Sequence, residues 1–256
     1  MYDIQRRNEK KEIITQDGSK TLYSCEFNEP YHSTKDGALH ESLSKHVIPA
    51  LKLQADKEQV TILDICFGLG YNTLATLHYI KEHDLTTQVE ILAPEFDEAL
   101  IRSLAEFTYP QAFDHLKPVI EALSQNLYYE DEQFKIQILL GDARESIPQI
   151  QKGIDIVYQD AFSPKQNPLL WTREYFADIR KILAEDGIVT TYSTAAVTRM
   201  GLYENGLNLF YYEAENTRRS LIASPSDIEG WNAIDMVLKI ERNPTARSLR
   251  DVDFIG

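Results

Sequence analysis

The stretch Ile62-Leu63-Asp64-Ile65-Cys66-Phe67-Gly68-Leu69-Gly70-Tyr71-Asn72 decides the fold. A short apolar run with β-branched residues, 60–66, ends in two glycines and passes into a segment, 71–82, that reads as a helix. Gly68 and Gly70 let the backbone turn sharply and approach a ligand closely, with a helix N-terminus just beyond. A Gly-x-Gly alone is common to βα turns. The dinucleotide fingerprint Gly-x-Gly-x-x-Gly fails, because position 73 is Thr, and this argues against NAD.

Working outward, residues 89–96, 134–140, 154–160 and 187–193 read as further strands. Helices are expected from the end of the second strand to about residue 106, and at 143–151, 172–184 and 195–205, with 111–130 irregular or helical. Residues 207–213 and 220–224 lie close enough to pair as antiparallel strands. Upstream, 12–15 and 21–24 flank the turn Asp17-Gly18-Ser19 as a β-hairpin. Leu39, Leu43, Val47 and Leu51 recur at helical spacing. Strands alternating with helices predict an α/β, doubly wound sheet of about seven strands, with an N-terminal β-hairpin extension. The expected division is 1–58 as a hairpin and helical extension packing on the core, 59–224 as the core, and 225–256 as a C-terminal extension containing Trp231 and a strand-like 234–240.

Composition narrows the class. A chain of 256 residues that is 43% hydrophobic and 26% charged is ordinary globular material, not disordered. Cys25 and Cys66 form no disulfide or metal-ligand framework and read as reduced thiols. Residues 1–11 are polar without an apolar core, and no apolar run reaches bilayer length, so the expectation is a cytoplasmic protein with no membrane partner. With 26 Lys and Arg against 40 Asp and Glu the net charge is −14, which repels polyanions at long range. Any nucleic-acid contact then needs a local basic patch.

Ligands of open α/β sheets bind outside the carboxyl ends of the strands. Glu95, near the end of the second strand and 25 residues past Gly70, is placed to accept both ribose hydroxyls of an adenosine ligand. Asp142, after the third strand, is placed to meet an adenine amino group, and Asp160 ends the fourth. Helix capping is the plainer alternative for each carboxylate taken singly.

The segment Asp64 to Asn72, with Asp160-Ala161-Phe162-Ser163-Pro164 and Asn167-Pro168-Leu169-Leu170-Trp171, resembles the methyltransferase half of the bifunctional bacterial tRNA enzyme for 5-methylaminomethyl-2-thiouridine. The likeness continues through Asp17-Gly18, Tyr31-His32-Ser33, Ala195-Ala196-Val197-Thr198-Arg199 and Arg218-Arg219, spanning residues 12–224. It implies a Rossmann-like class I methyltransferase whose cofactor is S-adenosylmethionine (SAM), held by Tyr31, Ser33, Asp64, Cys66, Gly68, Gly70, Asn72, Glu95, Asp142 and Asp160. Cys66 stands where that family usually has the first glycine of the turn. The family's flavin oxidase half has no counterpart here, which implies a stand-alone form that needs no FAD. Its reaction is then N-methylation of the 5-aminomethyl group on the wobble uridine of tRNA. No stable protein partner can be inferred.

An alkylamine is mostly protonated at neutral pH, so such an enzyme must bind the ammonium, favour loss of its proton and aim the nitrogen. Asp160 is the candidate catalytic residue, as acceptor and proton relay; carbonyls near Phe162 are candidates to help orient the amine. Ser163, with Tyr31-His32-Ser33, is expected to close over the cofactor's methionine end. Phe162 and Trp171 are candidates to stack on a flipped uracil, with core packing the alternative for Trp171. Lys165, Arg199, Arg218 and Arg219 are expected at one rim, contacting phosphates. The terminal cations Arg6, Arg7, Lys10 and Lys11, and Arg242, Arg247 and Arg250, read as solvated charge. Rival readings are a spermidine synthase-like aminopropyltransferase, a small-molecule amine methyltransferase, and a non-catalytic SAM- or RNA-binding relative.

Overall fold

The Asp17-Gly18-Ser19 turn forms through its own side chains. Asp17 Oδ1 accepts from Ser19 N at 2.9 Å and from Thr15 Oγ1 at 2.7 Å, and Gly18 takes φ 82°. That turn joins β1 (Lys10–Ile14) to β2 (Lys20–Ser24), and β3 (Glu29–Pro30) adds a short third antiparallel strand. The protein is described here from a computed structural model covering residues 9–151 and 153–254. Arg6 and Arg7 lie outside the described residues.

Period-2 alternation along β4 (Gln59–Ile65) sends Val60 and Ile62 to one face and Leu63 and Ile65 to the other, all fully buried. A strand apolar on both faces must be covered on both. The first face carries α1 (Ala38–Glu41) and α2 (Ile48–Leu53), joined by a π-helical stretch (Ser42–Val47), with α3 (Tyr71–Glu82) beside them. After β5 (Gln88–Glu95) and α4 (Glu98–Arg102), α5 (Lys117–Asn126) packs on that face too.

The remaining strands are β6 (Tyr128–Glu130), β7 (Phe134–Leu140), β8 (Ile154–Gln159), β9 (Leu183–Thr191), β10 (Asn208–Tyr212) and β11 (Ser220–Ser224). On the second face α6 (Ala143–Ser146), α7 (Arg173–Ile182) and α8 (Ala196–Tyr203) bury Ala143, Phe176, Ile179 and Leu202. Among the described residues the main sheet has eight strands in the order β10-β11-β9-β8-β4-β5-β7-β6. The pairs joining β9, β8, β4, β5 and β7 are parallel, and β11 enters antiparallel between β9 and β10. The chain leaves β4 in one direction toward β5 and later returns on its other side as β8. That topological switch point places the functional cleft at the carboxyl ends of β4 and β8.

Two expectations change. The sheet has an eighth strand because the short β6 pairs antiparallel with β7 at the edge. Residues 234–240 are not a strand: α9 (Met236–Arg242) forms because the Asp235 side chain accepts from Leu238 N at 2.9 Å and caps a helix. The apolar alternation Ile234, Met236, Leu238, Ile240 gives way to that cap.

Candidate active site

The glycine turn is a run of left-handed backbone: Cys66 at φ 60°, Gly68 at 57° and Gly70 at 72°. At Gly70 a Cβ would stand 2.5 Å from the Phe67 ring. At Gly68 it would stand 3.1 Å from the Tyr31 ring, in space bordering the cleft. Gly70 also leaves the first turn of α3 without a side-chain cap. Cys66 holds the same conformation with a side chain, at a cost of about 1–2 kcal/mol. Burial pushes its thiol well above the ordinary range, so it is no thiolate.

Two adjoining cavities open over this turn. The larger, about 650 Å³, is lined by Tyr31, Ser33, Cys66, Gly68, Asn72, Glu95, Asp160, Phe162, Ser163, Arg218 and Arg219. The smaller, about 200 Å³, shares Cys66, Glu95, Phe96 and Asn167 with it and adds Gly141 and Asp142. Glu95 stands where they meet. Its carboxylate accepts from Gly68 N and from Asp97 N, both at 2.8 Å. Burial pushes this carboxyl above its usual range, against the opposing pull of the amides. Asp142 caps α6 by accepting from Arg144 N at 2.8 Å and remains exposed toward the smaller cavity.

Asp160 lies on the floor of the larger cavity. Asn72 Nδ2 donates to its Oδ2 at 2.8 Å, and His46 Nε2 lies 3.5 Å from Oδ1. Burial pushes the Asp160 carboxyl up, but the imidazoles of His46 and His32 and the Asn72 amide more than reverse this and hold it below the usual carboxylate range. Phe162 packs face to face on Phe27 at 4.4 Å and edge-on to Tyr31 at 5.0 Å. Ser163 N donates to Glu29 at 2.9 Å, and its hydroxyl bonds to the same carboxylate. Ser33 N donates to Glu41 at 2.7 Å.

Four placements depart from expectation. Trp171 is fully buried and donates from Nε1 to Phe162 O at 2.8 Å, so it braces the loop from the core and offers no face to a base. Of the carbonyls near Phe162, Phe162 O accepts from Trp171 and Ala161 O from Tyr192 at 2.9 Å, each with a second lone pair left for an amine. Asp64 does not reach the cleft wall. It lies beneath the turn, 1% exposed, accepting from Thr73 Oγ1 at 2.7 Å, and burial pushes its carboxyl up to about 7. Arg199 is drawn away from the rim to Thr194 O at 2.6 Å and Tyr211 Oη at 3.2 Å. Lys165 is exposed on the loop after β8 but does not line the cleft. Of the four cations, Arg218 and Arg219 line it, and Arg219 pairs with Glu213 and lies over the Tyr211 ring at 4.6 Å. Toward the termini, Lys10 pairs with Asp97 and Arg250 with Glu174.

Sequence reasoning missed His46, Glu29, Tyr192 and Lys45. Lys45 is buried at the cleft wall between Asp36 and Glu41, 2.8 Å from each. Its four-residue spacing from Glu41 was the one readable signal; nothing near His46 in sequence marks it.

A Gly-x-Gly turn opening a helix, a buried carboxylate ending the next strand, and the reversed β11 between β9 and β10 together define a class I SAM-dependent methyltransferase. A family model described as S-adenosyl-L-methionine-dependent methyltransferase matches residues 104–225. The crystal structure of MnmC2 from Aquifex aeolicus superposes with a TM-score of 0.84 at 30% identity, covering 98% of this chain and 82% of that one. The chain belongs to the MnmC methyltransferase family. It is 28% identical over 206 residues to the tRNA 5-methylaminomethyl-2-thiouridine biosynthesis bifunctional protein MnmC of Ralstonia nicotianae, covering 74% of this chain and 30% of that protein. An uncharacterized protein of Methanocaldococcus jannaschii is 32% identical over 212 residues, covering 82% of this chain and 57% of its own length. Among the described residues no helix is long and apolar enough to cross a membrane.

Proposed function

We propose that this protein transfers the methyl group of SAM to the 5-aminomethyl nitrogen of the wobble uridine in tRNA. The observation that carries the reading is the Asp160 carboxylate, ionised on the cleft floor and flanked by Phe162, with Arg218 and Arg219 at the rim. An ionised carboxylate binds an ammonium, an aromatic ring beside it suits a uracil, and paired guanidinium groups suit phosphate. The similarity to MnmC proteins supports the same substrate class.

The residues present fit SAM. Glu95 has lone pairs left for ribose hydroxyls beyond the two amides it accepts. Asp142 in the smaller cavity is assigned to the adenine, and the Cys66–Gly70 turn with Tyr31 and Ser33 to the methionine end. When bound, SAM supplies an electrophilic methyl group. Asp160 then holds the amine in place and accepts its hydrogen bond, which supplies orientation more than basicity. Phe162, supported behind by Phe27, limits where the ring can lie.

The test is a methyl-transfer assay with labelled SAM and two tRNAs, one carrying 5-aminomethyluridine and the other its carboxymethylaminomethyl form. Transfer to the first and not the second is expected. Transfer to neither, with SAM still bound, moves the assignment to a small amine. Glu29, Asp36 and Glu41 lining the same cavity are the observation that favours that second reading.

A further inference from the structure

Methylating an ammonium releases one proton for each methyl transferred, and that proton needs a first acceptor. Asp160 is a weak base, because its surroundings stabilise its ionised form. Glu41 is paired with Lys45, and His32, disfavoured as a cation by burial, is bonded to Thr21 Oγ1 at 2.8 Å. His46 is left. It is fully buried in the π-helical stretch, a backbone form found often at functional sites.

The ring is held from two sides. Nδ1 lies 2.9 Å from Thr190 Oγ1 on β9, and Tyr158 of β8 meets the ring edge-on at 5.7 Å between centroids. Nε2 has no hydrogen-bond partner, and it lies 3.5 Å from Asp160 Oδ1. A proton shared between imidazolium and carboxylate draws nitrogen and oxygen to about 2.7–2.9 Å. The wider gap leaves Nε2 facing the carboxylate within reach, with no hydrogen bond yet formed between them. Catalytic hydrogen bonds of this kind commonly tighten only once substrate is bound.

We propose that His46 receives, through Asp160, the proton that the substrate amine sheds before methylation, an inference that rests on the amine substrate proposed above. One N–H bond of the ammonium breaks and its electron pair stays on nitrogen. The proton passes to Asp160 and on to Nε2, leaving a neutral amine, an ionised Asp160 and an imidazolium at His46. The neutral amine then has the lone pair that methylation requires. His46 acts through Asp160 and is therefore a positioning residue, here for a proton. The other titratable groups around the pair are Asp64 on β4, Cys66, His32, Tyr158 and Tyr192, with Glu41 on its own helical segment.

The test compares wild type, His46→Phe and His46→Gln on tRNA carrying 5-aminomethyluridine between pH 7 and pH 9.5. As pH rises toward the amine's own pKa, near 10 as for lysine, the substrate arrives already deprotonated and needs no acceptor. Both variants are expected to lose about 10–100-fold in kcat at pH 7 with KM and SAM affinity held. The loss should shrink about tenfold by pH 9.5, and His46→Phe should add no loss to an Asp160→Asn enzyme. Gln offers an N–H of similar reach but no basic nitrogen, so activity restored by Gln overturns the proposal in favour of a hydrogen-bond donor. A loss that is flat with pH, or that falls on KM or SAM affinity, also overturns it. If wild type itself fails to methylate this tRNA, the substrate reading falls and takes the proposal with it; a pH-flat loss in an active enzyme removes only the proposal.

Discussion

Asp64 and Asp160 stand on adjacent parallel strands, Asp64 paired in register with Tyr158 of β8 and Asp160 just past that strand's end. Both are withdrawn from water, yet their carboxyls shift in opposite directions. Asp64 receives one side-chain hydrogen bond, from Thr73, its Oδ1 has none, and burial carries its pKa up to about 7. Asp160 is half-buried, and Asn72 and two imidazoles more than offset its desolvation and hold it down. Partners together with depth decide which carboxylate is charged, and the charged one is the less deeply buried one, facing the cleft.

The strongest challenge to that comparison is Asp160→Asn. It removes charge while keeping shape, so kcat should fall about 10²–10⁴-fold, by more than any weakening of SAM binding. Methyl-transfer rates beside calorimetric SAM titration check this; retained activity would mean that the cleft does not use the ionised carboxylate.

Asp64→Asn sharpens the other half. A pKa of about 7, above the ordinary 3.8, means the folded state binds the proton more tightly than the unfolded chain. The cost of Asp64 is therefore absent below about pH 4, grows as pH rises to about 7, and is constant above. The Asn variant should melt near wild type at pH 4 and be more stable by on the order of 1–3 kcal/mol at pH 8. Asp160 has the opposite sign: its folded pKa is lowered, so its contribution is present above about pH 4 and lost as pH falls through the folded pKa. Melts of both Asn variants at pH 4, 6 and 8 should thus diverge, and parallel curves would erase the contrast.

Charge at the rim is a weaker effect than charge on the floor. The Arg218→Ala, Arg219→Ala double variant should weaken tRNA binding roughly tenfold at low salt and flatten its salt dependence by about two phosphate contacts, with SAM binding unchanged. Filter binding across a salt series reads this, and an unaltered slope removes both residues from the interface. Smallest is Cys66→Gly. Relief at φ 60° outweighs the entropy of an added glycine by about 0.5–1 kcal/mol, a rise of about 1–3 °C in Tm with SAM affinity retained.

Much of the fold was legible because its signals are local. The residue expectation for α3 coincides with Tyr71–Glu82, and the β10–β11 pair forms as the spacing predicts. Where two local signals competed, the weaker was read: alternation at 234–240 suggested a strand, and the Asp235 cap made a helix. In the site, the glycine turn and three strand-end carboxylates were visible as types at positions. Their surroundings were not. Glu29 reaches Ser163 across 134 residues and His46 reaches Thr190 across 144, separations over which no periodicity carries information.

By itself, then, the sequence determined the α/β order, the left-handed turn and the placing of Glu95, Asp142 and Asp160 at strand ends, because backbone sterics and alternation act between near neighbours. Tertiary structure alone decided that Trp171 braces a loop, that Arg199 is drawn away from the rim, and that Asp64 sits high in pKa while Asp160 sits low. Desolvation and partner charge are set by what the fold brings within a few ångströms, and those neighbours come from distant parts of the chain.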